Sequence, residues 1–105
     1  MTNKEHMKPT AIDIDEPRHI VRVRGEVVRL PTKEYEILRR LVRGDGRVFS
    51  RAELIKKVWG AQAMVQDVTV DQHVSRLRRK LAAYGCRTLI RTVPNYGYQY
   101  AAGLP

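Results

Sequence analysis

Thr69, Gln72, Ser75, Arg76 and Arg79 fall at intervals that helical geometry gathers on one side of a stretch of about three turns. Arginine can donate two parallel hydrogen bonds to guanine, and glutamine can pair in the same way with adenine, across the major groove of a duplex. At about 100° per residue, Val70, Val74, Leu77 and Leu81 lie within roughly 60° of one another and form the opposite, core-facing stripe. The spacing therefore predicts a helix over residues 69–82 whose outer face carries base-reading side chains. His73 and Lys80 sit on one shoulder of that helix, Asp71 and Arg78 on the other. His73 reads equally well as a packing residue or a phosphate donor, and Lys80 as a phosphate donor. A face that merely solubilises a helix mixes Glu with Lys. This one mixes Arg with Gln, Thr and Ser.

The charge distribution points the same way. The chain of 105 residues carries a net charge of +9, and all of its acidic residues lie at or before Asp71. Beyond that point stand Arg76, Arg78, Arg79, Lys80, Arg87 and Arg91 with no carboxylate among them. A one-signed field at one end of a small domain suits a polyanion. An anionic membrane would need a broad apolar helix face beside the cations, which this stretch lacks, so no membrane partner is expected. The length allows one domain with a modest core. No apolar run approaches a membrane span, and the N-terminus has no apolar leader, so the cytoplasm is the default expectation. The single cysteine, Cys86, has no partner for a disulfide and no neighbours for a zinc site, and reads as a small buried residue. Neither a cofactor nor a metal is expected. Catalysis is not expected either, because Asp71 and His73 diverge by about 160° on a helix and no nucleophile stands near them.

The elements that must position this helix follow from the rest of the pattern. Residues 1–10 are polar and aperiodic and are expected to form a disordered tail, leaving 11–105 as the domain. Three short alternating runs, 11–15, 19–24 and 26–30, predict an antiparallel sheet. After Pro31 the period becomes helical, with Thr32 as the expected N-cap and Tyr35, Leu38, Leu41 and Val42 inward. Gly44-Asp45-Gly46 should end that helix through the left-handed geometry of its glycines. Residues 47–49 read as a short extended link. Ser50 and Glu53 then have the spacing of a reciprocal capping box, opening a second helix that turns Leu54, Ile55, Val58 and Trp59 inward and ends at Gly60. Trp59 reads as a core anchor. Residues 60–67 form a loop with Met64 and Val65 as exposed apolar candidates, and Gly85 should end the third helix. Residues 88–93 and 98–102 read as strands joined at Pro94-Asn95-Tyr96-Gly97. Tyr98 is expected in the core, with Asn95 and Tyr96 at the tip, able to reach a backbone or minor groove. The whole is an α+β domain of sheet, three helices and hairpin.

Four segments, LPTKEYEILRRLV, GRVFSRAELIKKVWG, VTVDQHVSRLRRKL and IRTVPNYGYQY, resemble in order and spacing the C-terminal effector domain of bacterial OmpR/PhoB-type response regulators of two-component systems. The resemblance implies a winged helix-turn-helix with a four-stranded N-terminal sheet, the third helix in the major groove and the C-terminal hairpin as wing. It implies base contacts at Thr69, Gln72 and Arg76, backbone contacts at Trp59, His73, Arg78 and Thr92, and a loop before the third helix that can touch RNA polymerase. Two features depart from the pattern. Pro94-Asn95 stands where many members have Arg-Gly, giving a wing similar to that of the ToxR/CadC branch, and Val68 occupies a place often held by Arg. No receiver segment precedes the sheet, so phosphorylation is not expected of this stretch. The expected function is sequence-specific recognition of double-stranded DNA in transcription regulation, by a monomer in solution that can pair on tandem DNA sites. The alternative is an adaptor on the same fold that binds RNA polymerase or another regulator. A nonspecific nucleic-acid binder would need only phosphate donors, without the Gln72, Ser75, Arg76 arrangement.

Overall fold

The computed structural model describes residues 11–102; the expected tail at 1–10 lies outside the described residues. Strands β1 (Ile12–Asp15), β2 (Ile20–Val23) and β3 (Glu26–Val28) form an antiparallel sheet in chain order. Its register pairs Ile12 with Val23 and Val21 with Val28. These four side chains turn into the core, while Asp13, Arg22 and Val27 take the exposed face. The resemblance implied four strands here. Among the described residues there are three, because only three alternating runs precede Pro31.

Helix α1 (Thr32–Gly44) starts one residue earlier than a Thr32 cap would require. The Pro31 carbonyl accepts the first helical bond, from Tyr35 at 2.9 Å, so Thr32 is already inside the first turn and caps nothing. At the other end Asp45, not Gly44, adopts the left-handed conformation, with φ of 47°, which a short polar side chain tolerates. Gly44 is required for another reason: a Cβ there would stand 2.6 Å from the Phe49 ring.

The expected link at 47–49 ends in a strand. β4 (Phe49–Ser50) pairs with β6 (Gly97–Tyr100), which also pairs with β5 (Ile90–Val93), so the hairpin becomes a second three-stranded sheet of order β4-β6-β5. Gly97 allows the close approach; a Cβ on it would meet the Phe49 carbonyl oxygen at 1.9 Å. Helix α2 (Arg51–Trp59) is capped by Ser50, whose Oγ accepts from the Glu53 amide at 3.0 Å. The capping box is only half formed, since the Glu53 carboxylate turns to Arg47 instead. Gly60 ends α2 as expected.

Helix α3 (Asp67–Ala82) begins two residues earlier than the pattern suggested, with Asp67 favourably placed at the positive end of the helix dipole. It ends at Ala82, and Gly85, with φ of 72°, reverses the chain so that the Cys86 amide can donate to the Leu81 carbonyl. A single 3₁₀ turn (Arg87–Leu89) leads into β5. The core gathers the inward side chains of the first sheet, Leu38 and Leu41 of α1, Leu54 of α2, the Val70-Val74-Leu77-Leu81 stripe, and Tyr98 and Tyr100. Cys86 is buried there as a free thiol. The architecture is a winged helix-turn-helix: α2 and α3 separated by a loop, with the β5–β6 hairpin beside α3.

Candidate nucleic-acid interface

All four residues of the α3 stripe have no exposed surface. Their burial fixes the helix in rotation, and the opposite face must point outward. Gln72, Ser75, Arg76 and Arg79 are exposed there and line one shallow groove with Asp71. Thr69, one turn earlier, is half-buried at the edge of the same face.

Among the described residues Asp71 is the single carboxylate on that groove, and its charge is engaged. Its Oδ1 accepts from Arg51 Nε at 2.7 Å and from the Tyr98 hydroxyl at 2.5 Å. Burial works against its ionised form, but these two donors outweigh it and hold the Asp71 carboxyl below the usual aspartate range. The same contact, added to burial, raises the Tyr98 hydroxyl. The recognition face is therefore left with an unopposed positive and hydrogen-bonding surface. The contact also ties α3 to the start of α2 and to the wing strand.

A second tie runs from Arg78. Its Nε and Nη2 donate to the Ile90 carbonyl at 3.1 and 2.9 Å, and Nη2 also donates to Thr92 Oγ1 at 2.7 Å. Burial, with the like charge of Arg87 adding to it, lowers the pKa of Arg78. Arg78 and Thr92 thus hold each other, and both positions expected at a phosphate backbone serve first to fix β5 against α3. Around them Arg78, Arg87 and Arg91 line one basic groove with Thr88, and Ser75, Arg79 and Arg87 line its continuation along α3. Like charges crowded in this way repel one another, and a polyanion laid along the groove relieves that repulsion.

The other shoulder of α3 differs from expectation. Lys80 Nζ donates to Glu34 Oε1 of α1 at 2.6 Å, and Glu34 is only 2% exposed. His73 Nδ1 lies 3.9 Å from the other oxygen of the same carboxylate, and its ring packs tilted against Trp59 at 5.4 Å. Trp59 is half-buried against the core, with Lys33 Nζ 5.5 Å from its ring centre. Lys80 is therefore a bound cation facing α1, because a buried carboxylate needs a partner.

At the wing, Asn95 takes a left-handed conformation with φ of 61°, and Tyr96 stands half exposed at the tip. The Tyr96 carbonyl accepts from the Arg51 amide at 3.1 Å, which couples the tip to α2. In the loop before α3, Met64 is 97% exposed, whereas Val65 is half-buried. Val68, in the first turn of α3, is the second exposed apolar side chain of this region.

The sequence pattern missed Arg51 and the role of Asp71, and it counted Arg87 only as part of the basic stretch, without a place in the site. Two signals were available. Asp71 is the last acid of the chain and, among the described residues, the single one lining the reading groove, a place where a nearby cation stabilises its charge. Arg87 directly precedes the strand that flanks α3.

Residues 25–100 match the family described as "Transcriptional regulatory protein, C terminal". The chain is similar to the sensory transduction protein RegX3 of Mycobacterium tuberculosis (strain ATCC 25618 / H37Rv), at 40% identity over 92 residues, covering 87% of this chain and 40% of RegX3. It is similar to the phosphate regulon transcriptional regulatory protein PhoB of Rhizobium meliloti (strain 1021), at 42% identity over 87 residues, covering 83% of this chain and 38% of PhoB. Among solved structures, the DNA-binding domain of response regulator AdeR, in complex with an intercistronic region, has a TM-score of 0.80 at 30% identity, over 90% of this chain and 97% of that one. The chain spans about two fifths of the length of the curated relatives it matches.

Proposed function

The chain belongs to the family of transcriptional regulatory protein C-terminal domains, the OmpR/PhoB-type effector domains, and from that premise we propose that it reads double-stranded DNA sequence-specifically to regulate transcription. The observation that carries this reading is the outer face of α3, where Gln72, Ser75, Arg76 and Arg79 stand exposed and the one carboxylate beside them is already paired. Placed in the major groove, Gln72 and Arg76 meet base edges, with Thr69, Ser75 and Arg79 beside them. Arg87 and Arg91 follow the adjacent phosphates, and the Arg78–Thr92 pair holds the wing at the angle that lets them do so. His73 and Trp59 stand at the α1 side of α3 as supports for that helix. The wing tip, with a motif similar to the ToxR/CadC branch, brings Asn95 and Tyr96 toward the minor groove without an arginine. The 11–105 stretch acts as one domain, a monomer in solution that pairs on tandem sites, working by binding and not by catalysis in the bacterial cytoplasm.

A second activity is supported by Met64, which is 97% exposed on the loop preceding α3, with the exposed Val68 following in the first turn of that helix. An apolar side chain so displayed next to a DNA-reading helix suits contact with RNA polymerase.

Selection of bound sequences from a random duplex pool tests the main reading, and it should return a defined consensus. On that consensus, Arg76→Ala should cost about 1–3 kcal/mol and relax preference at one base position. Equal losses on consensus and random duplex would make Arg76 a phosphate contact and remove the argument for base reading.

A further inference from the structure

A cleft opens between the C-terminal half of α1, the approach to β4 and the last turn of α2. Arg39, Arg40, Arg43, Arg47 and Lys57 line it over the Phe49 ring. Taking Glu34 as reference, about 100° per residue places Arg40 about 120° and Arg43 about 180° around α1. Glu34 is the residue that meets Lys80 and His73 of α3, so the cleft faces away from the reading helix.

Three of the five cations are matched within the chain. Arg39 pairs with Glu36 at 2.8 Å, Arg43 with Glu16 at 3.1 Å, and Arg47 with Glu53. The other two are not. Among the described residues Arg40 has no ion pair, and its Nε is a buried donor with no acceptor. Lys57 is exposed and, among the described residues, its side chain has no hydrogen bond or ion pair, although its field reaches Glu53 one turn back. Cations in the last turn of a helix commonly offset the negative end of its dipole, which accounts for Arg43 and Lys57. It does not account for a buried nitrogen on Arg40 left without an acceptor.

The geometry points to a docking site for a short acidic segment of a partner protein, with Arg40 and Lys57 receiving its carboxylates. Arg40 gains an acceptor by turning its guanidinium into the cleft, where it can present two parallel donors to one carboxylate. The rim selects the occupant. Glu16, Glu36 and Glu53, each paired with one of the lining arginines, put negative charge beside the cleft and repel a stiff polyanion such as a duplex, which carries a charge every ~1.7 Å. One or two carboxylates on a flexible segment fit between them. The site would let the domain hold a partner while α3 stays on its target.

A fluorescein-labelled hexaglutamate peptide, titrated into the full chain with hexaglutamine as control, tests this. Saturable binding is expected for hexaglutamate alone, and amide shifts in a ¹H–¹⁵N spectrum should centre on Arg40, Arg43 and Lys57. Arg40→Gln and Lys57→Gln should each weaken binding about threefold, and the pair together about tenfold. Lys57 is exposed, so its variant reads out the site even where Arg40→Gln disturbs folding. Arg76→Ala should leave peptide affinity unchanged, and a bound duplex should not displace the peptide. Shifts centred on residues 72–79, displacement by duplex, or full affinity in Lys57→Gln would overturn the proposal. The readout does not depend on DNA reading: a chain that bound the peptide in this cleft but no duplex would sink the function proposed above and leave this one standing.

Discussion

The two sides of α3 are built from similar residue types and do opposite things. On the groove side, Arg76 and Arg79 are exposed, and the nearby Asp71 is engaged by Arg51 and Tyr98. On the α1 side, Lys80 and His73 converge on Glu34, a carboxylate with almost no exposure. A cation is available to a ligand only when the fold has not already given it a partner. The groove side is also where the helix is clamped to the wing through Arg78, so the surface that reads is held in place by contacts of its own.

The largest expected effect separates this pattern from a uniformly basic surface. If about six to eight phosphates are neutralised, log affinity should fall against log salt with a slope of about −5 to −7, which is about 10³-fold or more between 50 and 200 mM. A slope near zero would mean that neither side of α3 meets a polyanion.

Both sides depend on the buried stripe between them. Leu77→Ala should cost about 2–5 kcal/mol of stability by leaving a cavity, measured by urea unfolding. Near-neutral behaviour would show that the stripe does not fix the rotation of α3, and the contrast between its sides would lose its basis.

Asp71→Asn probes the groove side alone. The variant keeps the shape of the side chain and loses the charge that Arg51 and Tyr98 hold, so about 1 kcal/mol of stability at neutral pH is expected to go, the half-exposed site being screened by solvent. The pH dependence has a definite sign. A carboxyl whose pKa is lowered on folding contributes stability above its unfolded value, about 3.9, and loses it as pH falls through the folded value. The gap between wild type and variant should therefore close below about pH 4. A gap that stays constant down the acid limb would show that the loss comes from packing and not from the charge.

The smallest effect is the sharpest test of the comparison. Lys80→Ala should leave the salt slope of DNA binding nearly unchanged, whereas Arg87→Ala should reduce its magnitude by about 0.9, the share of one phosphate contact. Equal changes in slope would place Lys80 on the backbone and return the two shoulders to equivalence.

Periodicity alone determined which residues of α3 face inward, because a 3.6-residue repeat leaves one rotation that buries Val70, Val74, Leu77 and Leu81 together. It determined the order of sheet, helices and hairpin, and placed Gln72, Ser75, Arg76 and Arg79 on the outer face. Local chemistry set the Ser50 cap and the stop at Gly60. Tertiary structure decided what local pattern does not contain. Phe49 and Ser50 became a strand only because β6 lies beside them, with Gly97 permitting the approach. Lys80 became a bound cation because α1 brings Glu34 to it across 46 positions of sequence, and Asp71 became a clamp because Arg51 and Tyr98 arrive from two other elements. Sequence spacing fixes the direction in which a side chain leaves its own helix or strand. Which charge waits there is set by how separate elements pack, and at α3 that packing separates the cations that remain available from those already taken.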